Sequence, residues 1–237
     1  MKKIVFLIII TIISAPLFAQ NKETKKETTV EQRYLSTSIE VAIVSELAAG
    51  DTREQKMIAL ENLEKMISDG KIKQDDIQIN NVLTSLSGEG TFIVVREGNR
   101  KVNNYPDIRA RAAKALGDLG GEKSKVTLID ITQKDNEPMV LSQAVYSLGL
   151  IGINDKNESL LAIAYVLEAN SKRREPDDNL AVASLLAIEK IAAKNNGFAK
   201  EPDPRPIFGA IVGVQAGNYS TNVRKWAATL MDKLRQY

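Results

Sequence analysis

The sequence predicts an all-α chain, an α-solenoid of about ten helices spanning residues 34–237 and winding as a right-handed superhelix. Three observations carry this expectation. Aromatics make up only 5% of the residues, while Ala, Leu, Ile, Glu and Lys are plentiful; most of these favour helix. The stretch from Asp107 to Gly120 recurs along the chain in degraded form. The copies close on Gly or open near Pro, residues that punctuate helices.

The repeat shows best at a shift of 32 residues. Ile108, Ala112, Leu116, Gly117, Leu119 and Gly120 then meet Val140, Ala144, Leu148, Gly149, Ile151 and Gly152. About 40 residues further on, Leu180, Ser184, Ala187, Ile188 and Ile191 take equivalent places, and Val223, Arg224, Ala227, Ala228, Met231 and Leu234 follow near the C-terminus. Arg53, Met57, Ala59, Leu60 and Leu63 form a weaker upstream copy. Apolar residues three and four apart make one buried face of a helix. Second helices are expected between the copies, near 75–87, 123–134, 158–171 and 204–216. An opening helix over 34–49 carries Leu35, Ile39, Ile43 and Leu47 on one side. Two helices per 30 to 45 residues is the period of a solenoid.

The segment Pro106-Asp107-Ile108-Arg109, followed by Ala112-Ala113-Lys114-Ala115-Leu116-Gly117-Asp118-Leu119-Gly120, resembles the HEAT-like repeat named after phycobilisome lyases. Residues 106–193 carry the resemblance best, 51–87 and 221–235 faintly. It implies stacked helix pairs. It says little about activity, since such proteins include scaffolds, adaptors and chromophore lyases. It also implies that Asp107 and Arg109, with Arg224, support stacking. Leu141 and Ala181 depart at the Arg position, so a continuous charge ladder is not expected.

At the N-terminus, Lys2 and Lys3 precede an apolar run from Ile4 to Ile13, then Ser14 to Ala19. A basic start, a short apolar stretch and a small residue describe an export signal. Residues 1–19 are expected to be removed, placing the protein in a bacterial periplasm. The alternative is an uncleaved signal that anchors it to the inner membrane. Residues 20–33 are polar and read as a flexible charged spacer ahead of the 34–237 solenoid.

The chain has no histidine and no cysteine. That removes Cys/His zinc sites, thiol catalysis, disulfides and every triad that uses an imidazole base. With Lys2 and Lys3 removed, 30 basic residues face 30 acidic ones, unlike the basic balance of a nucleic-acid binder. No metal ligand set, cofactor or catalytic residue is expected, and no small-molecule substrate is evident. Asp75-Asp76, Asp177-Asp178 and Asp203 lie at helix starts and read as caps. Gly209, Gly213 and Gly217 read as close packing against the last helix, and Trp226 as packed between the terminal helices.

Residues 88–105 interrupt the repeat. Thr91 to Val95 are strand-like, and Gly98-Asn99 is a two-residue hairpin turn. Arg96, Arg100, Lys101 and Tyr105 decorate the segment beside Phe92. It is either a partner-binding excursion or a connector that covers the core with Phe92 and Val94. Lys172-Arg173-Arg174 could meet an acidic partner, although cations are also favoured at a helix C-terminus for their own sake. Phe92, Arg96, Arg100, Lys101, Tyr105, Arg173 and Arg174 are therefore the candidate partner contacts. The expected role is a non-catalytic protein–protein scaffold or assembly factor of the cell envelope, not an enzyme. The alternative is a lyase- or transferase-type enzyme on the same scaffold.

Overall fold

The computed structural model describes residues 29–74 and 76–237. The export signal, the first part of the spacer and Asp75 lie outside the described residues. Among the described residues ten helices run in order: α1 (Val30–Ala49), α2 (Arg53–Ser68), α3 (Ile77–Ser87), α4 (Pro106–Leu119), α5 (Gly121–Lys134), α6 (Pro138–Ile151), α7 (Glu158–Ser171), α8 (Asp178–Lys194), α9 (Arg205–Ala216) and α10 (Thr221–Leu234). Two short strands, β1 (Arg96–Glu97) and β2 (Arg100–Lys101), fall between α3 and α4.

The helices stack in two rows. One row is α2, α4, α6, α8 and α10; the other is α1, α3, α5, α7 and α9. Each odd-numbered helix also pairs with the helix that follows it. The repeat register holds, since Ile108, Leu116, Val140, Leu148, Leu180 and Ile188 are all buried in one continuous core.

Glycine sets how closely the first row packs. A Cβ on Gly117 would lie 2.5 Å from Ser147 Oγ, and one on Gly149 would lie 2.9 Å from Ala187 Cα. Small residues thus seam α4 to α6 and α6 to α8. At the next equivalent place stands Glu189, and α8 meets α10 less extensively.

Helix starts follow local chemistry. Thr52 and Gln55 form a reciprocal capping box ahead of α2, and the Asp76 and Asp177 side chains accept from Ile79 N and Leu180 N. Each satisfies a backbone donor that the helix itself leaves free.

Two expectations about the first helix are corrected. It begins at Val30, inside the predicted spacer, because neither Gly nor Pro interrupts residues 30–49. Its Leu35, Ile39 and Ile43 are 60%, 61% and 55% exposed, while Val41, Val44 and Ala48 are buried. A terminal helix has row neighbours on one side only, so an apolar stripe need not be covered.

Candidate functional site

The up-and-down order puts the turn inside every helix pair on the same edge of the solenoid. This edge gathers the turns α1–α2, α3–α4, α5–α6, α7–α8 and α9–α10. Hydrogen bonds join successive turns. Lys56, on α2, donates to Ala48 O at 3.2 Å and pairs with Glu89 at 2.8 Å. Arg109 donates from Nη1 to Glu89 O at 3.0 Å and to Asn104 Oδ1 at 3.0 Å. Its Nε and Nη2 reach Asp135 at 2.6 and 3.3 Å. Asp135 also accepts from the N–H groups of Asn136 and Glu137. Arg173 donates to Asn136 O at 3.1 Å. Beyond it, the Tyr219 hydroxyl bonds Asn170 and Ser171, and Ser220 N donates to Asp178.

The 88–105 segment is planted on this network. Asn103, itself buried, donates to Glu89 Oε2 at 2.8 Å and to Ile93 O at 2.7 Å, and accepts from Val95 N at 2.9 Å. Gly90 has φ +71, and a Cβ there would meet the Asn103 carbonyl oxygen at 2.6 Å, so only glycine suits the place. Lys56, Glu89, Arg109 and Asp135 are nearly free of solvent, and the interactions above partner every one of these charges. Buried charges need such pairing.

Above the base, the hairpin turns at Gly98-Asn99 as expected, with Arg96 opposite Lys101 and Glu97 opposite Arg100. The strand content is corrected. Thr91 and Phe92 lie in a turn, since Thr91 N and Ile93 N both donate to Gly88 O. The paired strand therefore starts only at Arg96.

The expected contact residues divide. Phe92, Arg96, Arg100 and Lys101 belong to the hairpin side of this edge. Lys134 Nζ lies 5.0 Å from the Phe92 ring centroid, within cation–π range. Lys101 is fastened by its ammonium to Gly90 O. Arg173 and Arg174 reach the same edge from the α7–α8 turn, about 80 residues away in sequence. Tyr105 stands apart: it precedes α4 and packs against the core. Sequence reasoning missed Lys56, Glu89, Asn103 and Asp135. The Gly-Glu-Gly run at 88–90 was the one available signal, marking a close approach of backbone.

Elsewhere the ion pairs are mostly exposed, apart from the buried Lys125 with Glu122 and Glu158. Arg53 binds Asp107 across α2 and α4; burial raises the Asp107 carboxyl, but Arg53 outweighs it and holds the group below its ordinary value. Burial pushes the Tyr219 hydroxyl up, against its hydrogen bonds with Ser171 and Asn170. Shallow grooves run between α6 and α8, between α5 and α7, and between α1 and α3. Among the described residues there is no cluster of three or more potential metal ligands, and no helix is long and apolar enough to cross a membrane.

No protein-family model matches the chain, and no curated protein matches it. Among solved structures, it is similar to the complex of CpcE and CpcF of phycocyanin lyase from Nostoc sp., with a TM-score of 0.53 and 19% identity over 85% of this chain. The chain spans 65% of that chain's length. The fold is that of a HEAT-like repeat protein. Human deoxyhypusine hydroxylase in complex with glycerol also matches, at a TM-score of 0.38 and 15% identity, over 87% of this chain and 79% of that one.

The expectation that the chain is not an enzyme is corrected by this finding. The same architecture occurs in a phycocyanin lyase complex. A chain without His or Cys still has carboxylates and lysines for chemistry, and a solenoid can hold a substrate on its surface. The HEAT-like fold therefore gives no ground for a non-catalytic reading.

Proposed function

We propose that this HEAT-like solenoid grips a protein partner along the loop edge, as a scaffold or assembly factor of the cell envelope. One observation carries the reading. The edge is tied from turn to turn by hydrogen bonds, buried from Lys56 to Asp135, and it presents Arg96 and Arg100 at the hairpin and Arg174 at the α7–α8 turn, none of them in an ion pair among the described residues. Arg is a residue type that anchors interfaces. A partner chain is also consistent with the similar structure, which is a complex of two proteins.

A second reading is favoured by the likeness to a lyase complex: lyase- or transferase-type chemistry on the partner that is held. The N-terminal pattern supports export, with residues 1–19 removed, so sequencing the native protein should begin at or near Gln20.

The test compares capture from envelope extracts by three forms: the unaltered protein, an Arg96→Ala/Arg100→Ala variant and an Arg173→Ala/Arg174→Ala variant. Each variant should recover at least about tenfold less partner, the loss expected for about 1.4 kcal/mol of binding. Equal capture by all three would move the binding surface elsewhere. A change in the captured partner's mass on incubation with the protein would establish the catalytic reading.

A further inference from the structure

The hairpin has one edge that the fold leaves open. Val102 N donates to Val95 O at 3.1 Å, so the inner edge of β1 and of the residues leading into it faces β2. Ile93 O accepts from Gly90 N at 2.8 Å and from Asn103, and Val95 N donates to Asn103, all on that inner side. Arg96 opposite Lys101 is then the wide pair of the antiparallel ladder, because Glu97 and Arg100 flank the tight turn. The N–H and C=O groups of Val94 and Arg96 therefore point outward. None of the four has a hydrogen-bond partner among the described residues. Phe92 to Val95 are all exposed, Val95 to 51%. An exposed apolar strand edge with free backbone groups is a template for another strand.

We infer that this edge receives an extended, acidic segment of a protein partner by strand addition. The inference rests on the loop-edge reading above and names the chemistry of the partner. Two backbone positions, Val94 and Arg96, set the register, about 7 Å apart along the strand. Val94, two residues before Arg96, falls on its face of the extended chain and offers an apolar contact, while the cations choose acidic neighbours. Arg96, Arg100 and Lys101 against Glu97 leave the tip net positive. Pairing with a second copy would set like charges against each other, which is unfavourable across strands. Backbone bonds give affinity in this recognition mode, and alternate side chains give specificity.

The probe is an acetylated seven-residue peptide of alternating Glu and Val, titrated into the full chain by fluorescence anisotropy. Three comparisons are run: the same peptide N-methylated at alternate residues, a peptide with Lys in place of Glu, and a Val94→Pro variant of the protein. Proline at 94 removes one outward N–H and leaves the β1–β2 ladder intact. Each change should weaken binding at least tenfold. An Arg96→Glu variant should prefer the Lys peptide, a gain that a damaged fold would not give. Equal binding of the N-methylated peptide, or no binding of the Glu peptide, would overturn strand addition. So would a dimer of the free protein that Val94→Pro dissolves, since the occupant would then be a second copy. If envelope capture depends on Arg96 and Arg173 but ignores Val94→Pro, the loop edge stands and strand addition falls.

Discussion

The base and the tip of the 88–105 segment have opposite characters within a few residues of each other. At the base, Glu89, Asn103 and Arg109 are buried, and every charge has a short, directed partner. At the tip, Arg96 and Arg100 are exposed, and neither takes part in a salt bridge among the described residues. The contrast separates what the fold consumes from what it offers. A segment that only bridged two helices would not need its own buried ion pair, and a loosely tethered one would not hold a strand edge in place.

The sharpest break should come at the base. Arg109→Ala or Asp135→Ala leaves one charge buried alone, and either should cost about 3–5 kcal/mol in urea denaturation. A loss below about 1 kcal/mol is the value of an exposed pair and would mean that water reaches the base.

Asn103→Ala should be milder, about 1–3 kcal/mol, because it leaves Glu89 and the Ile93 carbonyl short of a donor. It should also free the Val95 amide to exchange. Hydrogen exchange that stays slow at Val95 would show that the β1–β2 ladder, not Asn103, holds the hairpin.

A partly buried pair on the opposite edge supplies a control. Lys125 lies 2.6 Å from Glu158. Burial raises the Glu158 carboxyl, but Lys125 and two backbone N–H groups outweigh it, so its value lies below the ordinary 4.5. A lowered carboxyl stabilises the folded state above the unfolded value and ceases to do so as pH falls through the folded one. The melting-temperature difference between the unaltered protein and Lys125→Met should therefore be present at pH 7 and should shrink below pH 4.5. A difference that grows on acidification would reverse the assignment.

The smallest effect on stability belongs to the tip. Arg96→Ala with Arg100→Ala should shift unfolding by no more than about 0.5 kcal/mol, while partner capture falls. A large destabilisation would make the tip part of the fold after all.

Much of the architecture was legible because a solenoid repeats its packing problem. The interval from Ile108 to Val140 fixed two helices, and α7 falls on residues 158–171 as expected, flanked by Asn157 and Lys172. The α1 stripe misled because periodicity reports an apolar face, not whether a neighbour lies against it. The base of the hairpin was illegible for a different reason. Lys56, Glu89 and Asp135 are residue types that ordinarily face water, and their burial follows from partners brought together across 26 to 33 positions. Spacing alone does not announce such partners.

The seam of small residues through α4, α6 and α8 has a thermodynamic consequence. Where Glu189 replaces glycine, the row loses its closest approach, and α10 is held chiefly by α9 and only partly by α8. Cooperativity in a solenoid passes from neighbour to neighbour, so it weakens at this joint. Melting should start at the C-terminal pair: amides of α10 should exchange at a lower free energy of opening than those of α6, and a single unfolding midpoint should describe the centre of the chain better than its end.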